Sequence, residues 1–186
     1  GSLYKAYSNR WALYLQDSWT IANRVTINLG LRSESEYIPS YSDNPDLADV
    51  KPISWGFGDK LAPRLGFVWD VNGDSSLKVF GSAGLFYDVM KLSMANGSYG
   101  GFKWKSAVYA LDTYKWNEIG KEGWNYGTPL AVFDFRIPSF DSTDPDMKPM
   151  SQMEISGGIE KRLRNDLAFT SRLVYKNLLW CIEDIG

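Results

Sequence analysis

Aromatic side chains that could stack on a ligand are concentrated in one stretch of the chain. The six candidates for ligand contact are Trp55, Trp104, Tyr109, Trp116, Trp124 and Tyr126. Five of them lie within residues 89–149, where glycines separate the rings and allow a close approach. Aromatic faces offer a large flat contact area that suits sugars and other planar or apolar surfaces. The alternative is that these rings pack the stretch against itself or form additional strands, which is the more common use of such residues.

Acidic residues provide two further candidate sites, one for a metal and one for acid–base catalysis. The stretch 141–146 holds three Asp with a Ser and a Thr, a loose set of oxygen ligands for Ca²⁺. It lacks the fixed Gly and the distal Glu of a calcium loop, so a solvated loop is the better interpretation. Glu118 and Glu122 could form a glycosidase pair, but nothing in their spacing raises them above chance. We therefore predict no metal site and no cofactor.

The composition excludes several classes of protein. The chain has 186 residues and no His, which rules out His-based catalytic triads and His-containing zinc sites. The net charge is −2 and the pI is about 5.2, so nothing indicates nucleic-acid binding. No apolar run approaches the length of a membrane helix. Without a catalytic residue to name, we predict that the chain is not an enzyme.

The dominant pattern along the chain is an alternation of apolar and polar residues. In the stretch WALYLQDSWTIANRVTINLGLRSE, Trp11, Leu13 and Leu15 fall on one face, and Tyr14 and Gln16 fall on the other. A period of two is typical of β-strands with one apolar face. The pattern recurs and predicts three hairpins, at about 9–34, 60–88 and 150–177. The fold class predicted is all-β, an antiparallel meander of about six long strands.

The connections between the predicted strands alternate in length. The turns near residues 20–24, 71–76 and 163–166 are short, whereas the segments at about 35–60 and 89–149 are long. In an antiparallel meander this alternation places all short turns at one end and all long loops at the other. Each run is also roughly ten residues long, which suits a tilted strand that crosses a bilayer. We treat residues 1–186 as one partial β-barrel domain.

Two architectures fit this pattern, a soluble β-sandwich and a membrane β-barrel. A soluble extracellular sandwich that binds carbohydrate through its aromatic loop explains the alternation alone. Three other features favour the barrel. Aromatic residues cluster at the ends of the apolar stripes, and charges of both signs line the polar face. The short turns and the long loops also lie at opposite ends of the predicted strands. The aromatic ends are Trp11, Trp19, Trp69, Tyr87 and Tyr175.

Specific motifs resemble those of TonB-dependent outer-membrane receptors, and the Oar-like branch in particular. LYLQDSWTIANRVTINLGLRSE resembles a barrel hairpin in which an aromatic-x-Gln-Asp-x-Trp strand precedes a strand ending Asn-x-Gly-x-Arg-x-Glu. LAPRLGFVWDVNGDSSLKVFGSAGLFYD looks like the next hairpin, and MKPMSQMEISGGIEKRLRNDLAFTSRLVYKN looks like a later one. The resemblance covers about half of the chain and leaves the long loops unplaced.

The resemblance implies a middle segment of a large transmembrane barrel in the outer membrane of a Gram-negative bacterium. Barrels of this family have about 22 strands and a plugged lumen, and they import scarce ligands with energy delivered by TonB. The implied partners are outer-membrane lipid, the rest of the barrel, the plug domain and, through the missing plug, the TonB complex. The ligand is unknown. The implied lumen-facing residues are Tyr14, Gln16, Asn28, Arg32, Arg64, Glu154 and Arg172.

One residue contradicts the simple pattern. Asp17 falls within the predicted lipid-facing stripe of the first strand, between Leu15 and Trp19. A charge costs a few kcal/mol at the centre of a bilayer and much less near its surface. Asp17 belongs to the motif of the family, so we interpret it as a feature of assembly or of the nearby turn.

Overall fold

The structure is a computed structural model that describes residues 6–110, 115–121, 127–140 and 143–183. Strands dominate this part of the chain. The elements in chain order are β1 (Asn9–Ile21), β2 (Val25–Ile38), β3 (Ile53–Asp70), β4 (Leu77–Tyr87), α1 (Leu92–Ser98), β5 (Lys105–Val108), β6 (Ala131–Asp134), β7 (Ser151–Arg164) and β8 (Leu167–Trp180). Short 3₁₀ helices lie at Pro45–Leu47 and Trp116–Glu118.

The chain divides into two compact units. The sheet unit comprises Ser8–Ile38, Ile53–Lys91 and Asp144–Gly186, and the loop unit comprises Gly1–Tyr7, Pro39–Pro52 and Leu92–Thr143. The sheet unit therefore contains all the long strands, and the loop unit combines the residues before β1 with most of the two long connections.

The sheet unit is one antiparallel sheet with the strand order β1-β2-β3-β4-β7-β8. Every strand pairs with the next long strand in the chain, so the sheet is a meander. The predicted all-β meander of six long strands is confirmed. The short turns therefore lie at one end of the sheet, and the connections β2–β3 and β4–β7 leave from the other end.

Backbone geometry explains two of the short turns. Ala22 and Asn23 both have positive φ, 51° and 53°, and the Arg24 N–H donates to the carbonyl of Ile21 at 3.0 Å. Positive φ at both central residues is the signature of a type I′ turn, here within the three-residue connection between the paired Ile21 and Val25. In the β3–β4 turn, Gly73 has φ 79°, and the Asp70 carboxylate accepts its N–H at 2.9 Å.

The strand register gives the sheet two chemically distinct faces. Residues paired across an antiparallel ladder lie on the same face. One row therefore runs through Gln16, Gly30, Arg64, Gly84, Glu154 and Lys176 on what we call the polar face. A neighbouring row runs through Asp17, Leu29, Leu65, Ala83, Ile155 and Tyr175 on the apolar face. All seven residues expected from the family resemblance to share one face lie on the polar face.

The strands reach further into the first long connection than the alternation predicts. β2 continues to Ile38 and β3 begins at Ile53, so residues 39–52 form the connection. The ladder between β2 and β3 shifts its register between Glu34 and Glu36, because residues 56–59 bulge out of β3. The Gly56 N–H donates to the Asp59 carboxylate at 2.7 Å and closes the bulge. Trp55 and Lys60 consequently lie on the same face as Glu36.

The loop unit has a small core of its own. Tyr99 follows α1 and is almost fully buried, and its carbonyl accepts the N–H of Tyr41 at 2.8 Å. Its ring stacks with Phe140 at a centroid distance of 5.9 Å. β5 and β6 form a two-stranded antiparallel sheet in the same unit. The long second connection is thus folded rather than extended.

Candidate functional site

The apolar face of the sheet is exposed. Leu13, Leu15 and Leu173 have 65%, 75% and 82% of their surface accessible, and four of the aromatic residues expected at the stripe ends are exposed on the same face. Those four are Trp11, Trp19, Trp69 and Tyr175. Soluble proteins rarely expose an apolar patch that spans a whole sheet. A sandwich would cover this face with a second sheet, and the only other sheet among the described residues has two strands.

Asp17 lies on the apolar face, as its place in the alternation predicts. It is exposed, and its carboxylate accepts the N–H of Ser18 at 2.8 Å. Its ladder partner on β2 is Leu29, and the row continues through Leu65. No cation contacts it within the described part of the chain.

The polar face carries an ion-pair group on β7 and β8 and a cation–π stack on β3 and β4. The Glu154 carboxylate forms ion pairs with the Lys176 ammonium at 3.0 Å and with the Arg172 guanidinium at 3.5 Å. The guanidinium of Arg64 lies over the ring of Phe86, 4.5 Å from its centroid. Gly84 leaves room for this stack, because a Cβ at that position would lie 3.2 Å from the Phe86 ring. The face therefore presents oriented polar groups to water or to a polar partner.

A second group on the polar face lies where the long connections leave the sheet. Glu36 and Lys60 form an ion pair whose side chains are 1% and 0% exposed. Lys60 also donates to the carbonyl of Asp88 at 3.0 Å, and its ammonium lies 4.9 Å from the Trp55 ring centroid. Because alternation indicates the face and not the depth of burial, the sequence gives no sign that this pair is buried.

Trp55 is the one candidate for ligand contact that lies in the sheet unit. It is only 8% exposed, and its indole N–H donates to the carbonyl of Met147 at 3.1 Å. Both its ring face and its polar atom are thus engaged within the protein.

Trp104 and Tyr109 are the candidates for ligand contact that the structure describes within the loop unit. Trp104 is half-buried. The centroid of its ring lies 4.2 Å from the ring centroid of Phe135 and 5.7 Å from that of Phe102. Its indole N–H is buried and has no hydrogen-bond partner among the described residues. Tyr109 is also half-buried. The side chain of Trp116 lies outside the described part of the structure, as do Trp124 and Tyr126 entirely.

A charged cluster lies near these rings in the chain. Arg136 donates two hydrogen bonds to the Asp134 carboxylate, at 2.8 and 2.7 Å, and Lys105 lies 3.1 Å from the same group. The hydrogen bond from Arg136 holds the pKa of Asp134 far below its usual value, and the same contact raises the pKa of Arg136. The cluster borders a cavity of about 240 Å³, lined among others by Ser42, Asp43, Asn44, Leu47 and Ile137.

The described residues contain no group of three or more side chains that could hold a metal ion. In the candidate calcium stretch, the Asp144 carboxylate caps the N–H of Asp146 at 2.9 Å, which is a local turn contact. Asp141 and Ser142 lie outside the described residues, as does Glu122 of the candidate carboxylate pair. None of the described helices is both long and apolar enough to cross a membrane.

Comparison with known proteins identifies the architecture. No solved structure matches the chain. The TonB-dependent transporter Oar of Myxococcus xanthus is 34% identical over 88 residues, which are 47% of this chain and 8% of that transporter. The chain thus spans a small fraction of the length of this relative.

A family model described as TonB dependent receptor-like, β-barrel, matches residues 2–170. Proteins of this family serve transport at the outer membrane of Gram-negative bacteria and are generally not enzymes. They combine a barrel with a plug and interact with TonB. The meander with one apolar and one charged face is what a part of such a barrel requires, and the soluble sandwich is not favoured. The chain belongs to the β-barrel family of TonB-dependent receptors.

Proposed function

We propose that this chain forms part of the wall of an outer-membrane barrel, binds a ligand through its loop unit and contributes to import of that ligand. The observation that carries the proposal is that one face of the sheet is apolar and exposed while the opposite face is polar and charged. Only closed barrels and helices satisfy every backbone group in lipid, so the six strands act together with further strands. The apolar face then contacts lipid, and the polar face borders the lumen and the plug.

The expected orientation can be tested with two neighbouring positions of β1. Leu15 lies on the apolar face and Gln16 on the polar face. In full-length protein with Cys181→Ser, a fluorophore is attached to Leu15→Cys or Gln16→Cys and the protein is reconstituted in vesicles. Nitroxide-bearing lipids should quench the label at position 15 strongly and the label at position 16 weakly. Equal quenching at the two positions contradicts the proposal.

Ligand capture by the loop unit is the finer part of the proposal. Trp104, Tyr109 and Trp116 are the aromatic contacts we propose, together with Trp124 and Tyr126. Half-buried aromatic rings keep a face available while their packing fixes their orientation, which lowers the cost of ordering them on binding.

The ligand classes to test are siderophores, cobalamin, glycans and peptides. Ligand binding that Trp104→Ala weakens and Trp11→Ala leaves unchanged supports the assignment, because Trp11 is an exposed tryptophan on the apolar face of the sheet unit. Equal losses in the two variants contradict it, as does unchanged binding by Trp104→Ala.

Import of a scarce ligand also requires energy. We propose that the plug domain and TonB supply it, acting through the polar face of the barrel wall. Uptake of an identified ligand should be lost when the gene for TonB is deleted, whereas surface binding should persist. Uptake that continues without TonB contradicts this part of the proposal.

A further inference from the structure

The residues around the buried pair Glu36–Lys60 tie together the two connections at one end of the sheet. Glu36 lies near the end of β2, just before the first connection, and its ladder partner Trp55 lies near the start of β3, just after it. The second connection leaves β4 at Asp88 and returns to β7 through Met147. All of these positions belong to the sheet unit.

Lys60 and Glu36 both hold the segment at which the second connection leaves β4. Lys60 donates to the carbonyl of Asp88 at 3.0 Å, and Glu36 accepts the N–H of Met90 at 3.2 Å. The two side chains also bond to each other. Each charge therefore has a charged partner and a backbone partner, which is the condition for burying an ion pair without a large penalty.

The segment at which the second connection returns to β7 is held by Trp55 and by Asp88, which lies where the connection leaves β4. The Trp55 indole N–H donates to the carbonyl of Met147 at 3.1 Å, and the Asp88 N–H donates to the carbonyl of Met150 at 2.9 Å. The Lys60 ammonium lies 4.9 Å from the Trp55 ring centroid and links the two halves of the cluster. Three side chains from β2 and β3 thus hold the backbone of both ends.

We propose that Glu36, Lys60 and Trp55 form a clasp that holds the departing and returning ends of the second connection together, and its link to ligand capture rests on the function proposed above. A hydrophobic cluster would stabilise the wall equally well or better, since buried ion pairs contribute little net stability. A hydrophobic cluster, however, offers no hydrogen-bond partner to the Asp88 carbonyl or the Met90 N–H, whereas Lys60 and Glu36 do. The clasp assigns Trp55 to positioning rather than to ligand contact.

The clasp makes a prediction that a merely structural ion pair does not. If the pair only needs mutual charge compensation, replacing both partners by Met should restore native behaviour. If the pair holds the strand ends, the double variant leaves the Asp88 carbonyl and the Met90 N–H without their side-chain partners. The ends then open more often, whether or not the charges are compensated.

Hydrogen exchange of full-length protein in detergent micelles separates the two cases. Mass spectrometry follows peptides covering residues 86–92 and 145–151 in Lys60→Met, in the double variant Glu36→Met/Lys60→Met and in Trp55→Phe. In the first two variants we expect amides at 86–92 to exchange about tenfold faster than in the unmodified protein, because local opening controls exchange. In Trp55→Phe we expect the same acceleration for amides at 145–151. Exchange in the turn between β1 and β2 is the internal reference.

The control is Lys176→Met, which breaks an exposed ion pair on the same face and should leave both peptides unchanged. Native protection in the double variant overturns the clasp, and so does native protection in Trp55→Phe. If Lys60→Met fails to assemble, Trp55→Phe alone decides, because it keeps a six-membered aromatic ring at this position and removes the indole N–H with the rest of the five-membered ring. Exchange requires no ligand, so an uptake assay that fails in every variant rejects the import function and leaves the clasp result intact.

Discussion

Gly158 offers a sharp test of the strand register. It lies on β7 opposite Phe80 of β4 and Arg172 of β8. A Cβ at position 158 would lie 2.3 Å from the carbonyl oxygen of Ser171 and 2.6 Å from the Phe80 ring. Both distances are far below van der Waals contact, so the substitution Gly158→Ala forces a backbone group and a ring to move.

The expected loss can be worked out from these contacts. Overpacking costs about 1–3 kcal/mol, and displacing the Ser171 carbonyl from the β7–β8 ladder adds roughly 1 kcal/mol for the weakened hydrogen bond. Replacing Gly by Ala in a strand returns about 0.5–1 kcal/mol of conformational entropy. The net loss for Gly158→Ala is therefore about 1–3.5 kcal/mol in the free energy of unfolding.

Gly157 is the matched control. It is the neighbouring residue on the opposite face, and a Cβ there would meet only the carbonyl oxygen of Phe80, at 3.8 Å. Gly157→Ala should therefore be neutral or slightly stabilising. Urea unfolding of full-length protein in micelles, followed by tryptophan fluorescence, measures both variants. Equal unfolding free energies for the two alanine variants would refute the register of β4, β7 and β8.

The other predictions concern the loop unit. Gly101→Ala should destabilise the loop unit, because a Cβ there would lie 1.9 Å from the Asn96 side-chain oxygen. Gly97→Ala should be tolerated, because the nearest contact of a Cβ there would be at 3.6 Å. Hydrogen exchange of the loop unit compares the two variants. Burial raises the pKa of Tyr99, so stability is complete below the unfolded pKa of about 10 and falls as pH rises above it, and Tyr99→Phe should flatten that fall in thermal melts. Hydrogen bonding lowers the pKa of Asp134, so its contribution is present above about pH 4 and is lost on further acidification, and Asp134→Asn should remove this acid sensitivity.

Three results would contradict these expectations. Similar exchange in the two glycine variants would mean that the Asn96 side chain has room to move. An alkaline melting profile unchanged by Tyr99→Phe would exclude burial of that phenol. Acid sensitivity that persists in Asp134→Asn would place its origin in another carboxylate.

The alternation of side chains determined the sheet. Because successive residues of a strand point to opposite faces, residues such as Leu15 and Gln16 could be assigned to faces from the sequence alone. The short turns fixed which strands are neighbours, and the hairpin motifs indicated the family. These are local properties, readable within a few residues, and the structure and the family match confirm the fold that they predicted.

The tertiary structure alone decided where the charges and rings are buried. Glu36 and Lys60 are 24 residues apart, and Trp55 and Met147 are 92 apart. Their meeting depends on the bulge at residues 56–59, which shifts the β2–β3 register and turns Trp55 toward the face of Glu36. A bulge of this kind leaves the alternation on either side intact, so periodicity does not reveal it. Burial depends on what the long connections place over a position, and that is settled only when distant parts of the chain pack together.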